Sequence, residues 1–182
     1  TGAYRLQLDK NELTHPILKG NITSIYQDSE GELWIGSWEE GLHHVKTDGT
    51  IEIFEYDAKN PYSISSNFVR ACCEDNLGNI WIGTFNGLNR YDKSTGLFQN
   101  HTASDAQSDG LTHSSIWCIG KENQGTLWLG TYFGGVNYFN PEYEIYSRYM
   151  YSPIEKKGLS NPVVGRTIED KDGKLWIGTE GG

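Results

Sequence analysis

Asp75-Asn76-Leu77-Gly78-Asn79-Ile80-Trp81-Ile82-Gly83-Thr84 is a ten-residue box that the chain writes four times. The other copies are DSEGELWIGS at 28–37, ENQGTLWLGT at 122–131 and DKDGKLWIGT at 170–179. Their tryptophans stand at 34, 81, 128 and 176, spaced by 47, 47 and 48 residues. A period of this size marks stacked supersecondary repeats, so it decides the architecture before local propensity does. Each copy reads as a tight turn and then a strand: the leading acid caps the turn backbone, and glycine at the fourth position accepts positive φ. Along the strand the tryptophan and its two apolar neighbours face opposite ways, so both faces are expected to be buried. The glycines at 36, 83, 130 and 178 are expected to let an adjacent sheet approach closely.

Outward from the box, each unit has the same order. Ile22–Gln27, Val69–Glu74 and Ile116–Lys121 are short strands ahead of it, and Gly41–Val45, Gly87–Tyr91 and Gly135–Phe139 follow it. Fourth strands are expected at Ile51–Tyr56, Leu97–His101 and Tyr143–Tyr149. Asp48-Gly49 and Asp92-Lys93-Ser94-Thr95-Gly96 supply the turns before two of them. The opening Gly2–Leu8 matches a third strand, and a weaker strand at Leu13–Leu18 would complete that half unit. Four strands per ~47 residues is the content of one propeller blade. The expected fold is all-β: antiparallel four-stranded blades in one partial β-propeller spanning 1–182. A half blade at 1–20 precedes blades at 21–67, 68–115 and 116–162, and a second half blade takes 163–182.

Composition agrees. The chain has 22 glycines, 6 tryptophans, 11 tyrosines and 6 phenylalanines, which suits short strands and tight turns. Its net charge of −9 disfavours nucleic-acid binding. No run approaches 18 consecutive apolar residues and no basic-then-apolar leader opens the chain, so no membrane contact is expected within this segment. Cys72, Cys73 and Cys118 form neither a disulfide framework nor a zinc pattern and read as small buried hydrophobes.

The box, with Ser37–Leu42, Thr84–Leu88 and the Asn60–Asn67 connection (NPYSISSN), resembles the two-component-regulator propeller repeat. Glu122 departs from its turn aspartate, and Asn89 and Asn137 are local departures in third strands. The resemblance implies an extracytoplasmic, periplasmic sensor region of a bacterial hybrid histidine kinase, with span, kinase and receiver modules elsewhere. It also implies recognition of glycans or oligosaccharides, and allows a homodimer through the propeller or adjoining domains. Seven blades would need about 330 residues at this period, so the chain reads as part of a larger propeller. A closed four-bladed ring, or an eight-bladed ring of two chains, is the alternative.

Loops leading into first and third strands share one face of a propeller. That face collects Trp38 and Glu39, Phe85 and Asn86, and Tyr132 and Phe133, with Glu180 in the fourth copy. Aromatics beside carboxamides and carboxylates suit sugar stacking and hydroxyl recognition, and equally a protein contact. A second candidate is the column of second residues in the first strands, Thr23, Arg70, Trp117 and Gly165. Arg70 would clamp and Trp117 would stack a ligand if this column faces the channel, although alternation allows the next column instead. No cofactor and no metal is implied: the five histidines lack ligand spacing. Asp170-Lys171-Asp172-Gly173 reads as a turn rather than a calcium loop. No nucleophile elbow or phosphate loop is present, so the segment is expected to be non-catalytic. An interaction scaffold is the rival reading, and a propeller hydrolase or lyase the third.

Overall fold

Each copy of the box closes on itself. In the computed structural model, which describes residues 1–7, 12–13, 17–104, 110–152 and 158–181, one Asp75 oxygen accepts the amides of Leu77 and Asn79 at 2.8 and 2.9 Å. The other accepts the indole N–H of Trp81 at 2.7 Å. Asp28 and Asp170 repeat both roles, holding Trp34 at 2.9 Å and Trp176 at 2.8 Å. Gly31, Gly78, Gly125 and Gly173 all have φ between 75° and 93°, where a side chain would be strained. In the departing copy Glu122 reaches Trp128 at 3.3 Å and the Tyr138 hydroxyl at 3.1 Å. The turn acid therefore does more than cap: it satisfies a buried indole.

The first complete blade is β5 (Ile22–Gln27), β6 (Leu33–Ser37), β7 (Leu42–Val45) and β8 (Ile51–Phe54). The second is β9 (Val69–Glu74), β10 (Ile80–Thr84), β11 (Gly87–Asp92) and β12 (Leu97–His101). β13 (Ile116–Lys121), β14 (Leu127–Thr131), β15 (Val136–Asn140) and β16 (Ile145–Tyr149) make the third. All three are antiparallel meanders. Before them, β1 (Gly2–Ala3) pairs with β4 (Leu18–Lys19) and β2 (Leu6–Gln7) with β3 (Glu12–Leu13); after them, β17 (Val164–Glu169) pairs with β18 (Leu175–Thr179). The expected weak strand at 13–18 falls partly outside the described residues. Among the described residues the two half blades are separate sheets, with no ladder between β18 and β1. Two fourth strands are shorter than expected. β8 stops at Phe54, and the amide of Tyr56 instead donates to the Asn67 side chain at 2.6 Å. β16 starts only after Glu144, which takes φ of 53° in the turn.

The core lies between blades. Along β6, Trp34 turns forward into a cluster with Val69, Ile80 and Tyr91, while Ile35 turns back to Ala3 and Val45. Along β9, Cys72 joins the first of these clusters and Cys73 the next, with Trp81, Ile116 and Phe139. Burial pushes the Cys72 thiol up to about 12 and the Cys73 thiol up to about 11, so both stay protonated. Each forward-facing tryptophan packs on a third-strand aromatic of the next blade, Trp34 on Tyr91 and Trp81 on Phe139. Trp128 faces only a two-stranded sheet and is half-buried, and Trp176 is 62 % exposed. The expectation of uniformly buried box tryptophans thus holds where a following blade with a third strand is present.

The strand glycines set the blade spacing. A Cβ on Gly36, Gly83 or Gly130 would stand 2.7–2.8 Å from Val69, Ile116 or Val164, the leading residue of the next blade's first strand. At the rim, Glu74 accepts both the amide and hydroxyl of Ser29 in the preceding turn, at 2.7 and 2.8 Å. Glu169 holds the amide of Asn123 in the same way at 3.0 Å.

Asp75→Ala leaves an indole and two amides without their acceptor and should cost about 2–4 kcal/mol in urea unfolding. Glu122→Asp, which restores the shorter acid, should gain about 0.5–1 kcal/mol in the same assay. Burial holds His43 and His101 below the ordinary 6.5. Their contribution is therefore full above that value and is lost as the pH falls from it through the lower folded values. The melting temperature should drop over this window, and His101→Gln should flatten the drop.

Candidate functional site

The first strands line the inner side of the arc, and each carries one residue that escapes the ladder. Ile22 pairs with Ser37 and Ser24 with Gly36, which leaves Thr23 unpaired. Arg70, Trp117 and Gly165 are skipped in the same way in the next three blades. A bulge of this kind adds a residue to one strand and re-aims its side chain. The skipped column of Thr23, Arg70, Trp117 and Gly165 lines a groove of about 450 Å³ on the inner side, and the following column of Ser24, Ala71, Cys118 and Arg166 lines it too.

At one end of this groove the channel column meets the loop face. The Trp38 and Phe85 amides donate to the Asn21 and Phe68 carbonyls, and those of Tyr132 and Glu180 to Ser115 and Val163. Each loop after a box is thereby fixed to the segment leading into its own first strand. Trp38 from the first blade lies over the Arg70 guanidinium of the second, 4.5 Å from its central carbon. Trp117 from the third blade lies 3.8 Å from the same carbon. Tyr132 stacks on Trp117 at 4.8 Å and 10°, and Phe133 meets Tyr132 edge-on at 4.3 Å. On the other side Phe68 links Trp38 (5.5 Å) to Phe85 (6.1 Å). Six of the eight predicted residues thus join one belt across three blades.

The belt also shows what each residue has left to offer. Trp117, expected to be a stacking platform, already stacks within the protein. Trp38 is 37 % exposed, Phe85 54 % and Phe133 57 %, so these rings keep open surface. Asn86 is occupied in its turn, its amide bonded to Thr84 Oγ1 at 3.1 Å and its carboxamide to the Ser65 carbonyl at 3.5 Å. Glu39 is exposed and outside the belt. Burial pulls the Arg70 pKa below its ordinary value, opposed by Tyr132; an arginine stays charged regardless. Phe68 and Arg166, which also lines the groove, were missed by sequence reasoning. An aromatic just ahead of a first strand, and a charge just after the bulge position, were the available signals.

Other polar clusters are structural. Asn89 accepts the Ser65 amide at 2.8 Å and donates to Ile82, and Asn137 accepts from Thr112 at 3.1 Å, so these two departures tie loops to third strands. The acidic trio Asp28, Glu30 and Glu32 has its oxygens engaged by Trp34, by Lys93 at 2.8–3.0 Å and by His44 at 2.6 Å.

The sequence matches the two component regulator propeller family at 16–39, 63–86, 110–133 and 158–181, just over half of its 182 residues. The chain belongs to this family. Among solved structures, the propeller is similar to the extracellular domain of BT4673 from B. thetaiotaomicron, described as a hybrid two component system (TM-score 0.76, 23% identity, 98% of this chain and 24% of that one). A similar domain of BT3049 from the same organism gives TM-score 0.73 and 20% identity over 88% of this chain and 21% of that one. Virginiamycin B lyase from Staphylococcus aureus gives 0.69 and 14% over 96% of this chain and 55% of that one. This propeller spans about a quarter of the BT4673 structure, and likeness at these identities shows the fold. A comparison with curated protein sequences finds no match.

Trp117→Ala removes one face of the Arg70 clamp and the partner of Tyr132. It should cost about 1 kcal/mol and abolish much of the near-ultraviolet circular dichroism from the stacked pair, with the far-ultraviolet strand signal retained.

Proposed function

We propose that this propeller is an extracytoplasmic ligand-sensing segment of a two-component sensor histidine kinase, that its ligand is a glycan or oligosaccharide, and that it signals to a kinase module elsewhere in the protein. The observation that carries this is the aromatic belt at the groove mouth. It is assembled from three blades, it leaves Trp38, Phe85 and Phe133 open to solvent, and it adjoins the groove that Arg70 enters. Open aromatic rings beside a cleft suit the apolar faces of sugar rings, and polar groups between them suit hydroxyls. Family membership supports the sensory role, and the two-component neighbours support its placement outside the cytoplasm.

The segment acts by binding rather than catalysis. The cysteines are buried thiols with raised pKa values, and the carboxylate trio is consumed by structural bonds. The lyase neighbour, at 14% identity, supports a shared fold and no shared chemistry. Signalling follows from differential affinity: a ligand spanning the three blades stabilises whichever arrangement of the sensor presents the belt in register. The exposed rings favour one rival, a protein contact or homodimer surface, since aromatics are enriched at such interfaces.

A thermal-shift screen of the intact protein that carries this chain, against a panel of oligosaccharides, should find ligands that raise the melting temperature. A Trp38→Ala/Phe85→Ala/Phe133→Ala variant should lose that shift while keeping its oligomeric state in sedimentation. Loss of dimerisation with no oligosaccharide response would select the rival instead, and turnover of any glycan would overturn the non-catalytic reading.

A further inference from the structure

Arg70 is a cation without an anion. Both neighbours of its guanidinium are indole rings, Trp38 and Trp117. Neither a hydrogen bond nor an ion pair joins it to any described residue. Its nitrogens are not sealed inside the protein either, since Arg70 is absent from the buried unsatisfied groups. Between these two indoles, the guanidinium N–H groups are left for the groove that Arg70 lines. The groove itself is biased. Its lining includes Arg70 and Arg166 and no carboxylate, within a chain whose net charge is −9. Arg166 is exposed and likewise has no bonded partner among the described residues.

A partly buried arginine left unpaired is costly unless an acceptor arrives, and a bidentate anionic acceptor is among its strongest partners. A sugar hydroxyl would leave most of the fork unused, whereas a carboxylate or sulfate meets it with two oxygens. A polyanion such as nucleic acid is disfavoured by the acidic surface. We propose that the groove takes an acidic sugar residue, its carboxylate or sulfate on the Arg70 edge, while adjoining sugars reach the belt. The inference rests on the glycan reading above and adds the charge class of the ligand. The two clamping tryptophans come from the blades on either side of Arg70, so binding would report on the packing of three blades at once.

The test is calorimetric titration of the intact protein with tetragalacturonate, a sulfated chondroitin disaccharide and neutral cellotetraose. At least one acidic ligand should bind more tightly than the neutral one, with an affinity that falls as salt rises. Arg70→Gln should weaken the acidic ligand by at least about 10-fold, and by more than it weakens any neutral binding. Arg70→Lys, which keeps the charge and loses the fork, should fall between. If Arg70→Gln does not fold, the lysine variant and the salt dependence of the unaltered protein decide instead. Neutral binding with no acidic preference, or acidic binding indifferent to both salt and Arg70, overturns this inference and leaves the glycan reading standing. Binding of no oligosaccharide of either kind overturns both.

Discussion

A carboxylate holding an indole N–H six residues further on is the bond from which the rest of this fold is built. An unpartnered indole nitrogen between two sheets would be expensive to bury. Asp28, Asp75 and Asp170 remove that cost while their second oxygen closes the turn. The tryptophan is thereby fixed in direction before any neighbouring blade packs on it. Tyr91 and Phe139 then find a preset surface, and the small strand glycines allow the next sheet to close to contact distance. Each blade is thus internally braced, and its stability still depends on the following one, as in other linear repeat systems. The exposure of Trp176, held by its aspartate yet uncovered, separates the two contributions.

Much of this was legible because the repeat supplies internal controls. Four copies of one box expose which positions are constant within the chain, and period alone placed the strands. The close-approach role of Gly36, Gly83 and Gly130 followed from their register. The indole acceptor could have been read too: an acid precedes every box tryptophan by six residues. What hid it was that the same acid already had a sufficient reason to be there as a turn cap.

The site was legible only in its parts. Sequence pattern put Trp38, Phe85, Tyr132 and Phe133 on one face and Arg70 and Trp117 in one column, but nothing local says that the two sets touch. Alternation is a rule for an unbroken ladder, and the ladder is broken at Thr23, Arg70, Trp117 and Gly165. Past a bulge the count of inward and outward residues resets, so a period-two argument could not choose the column. Asn86 and Trp117 also show that a suitable residue type on a suitable face can already be occupied, one by its own turn and one by Arg70 and Tyr132.

The bulges have a consequence for how such a propeller can change. A residue that pairs with nothing in its sheet can be replaced without disturbing the strand beside it, so threonine, arginine, tryptophan and glycine occupy the same position in four consecutive blades. The inner wall therefore behaves as a row of letters, one per blade, outside the ladder of its own sheet but touching one another, as Arg70 and Trp117 do. Recognition can drift letter by letter while the frame stays constant, and two propellers with the same skeleton can carry unrelated words.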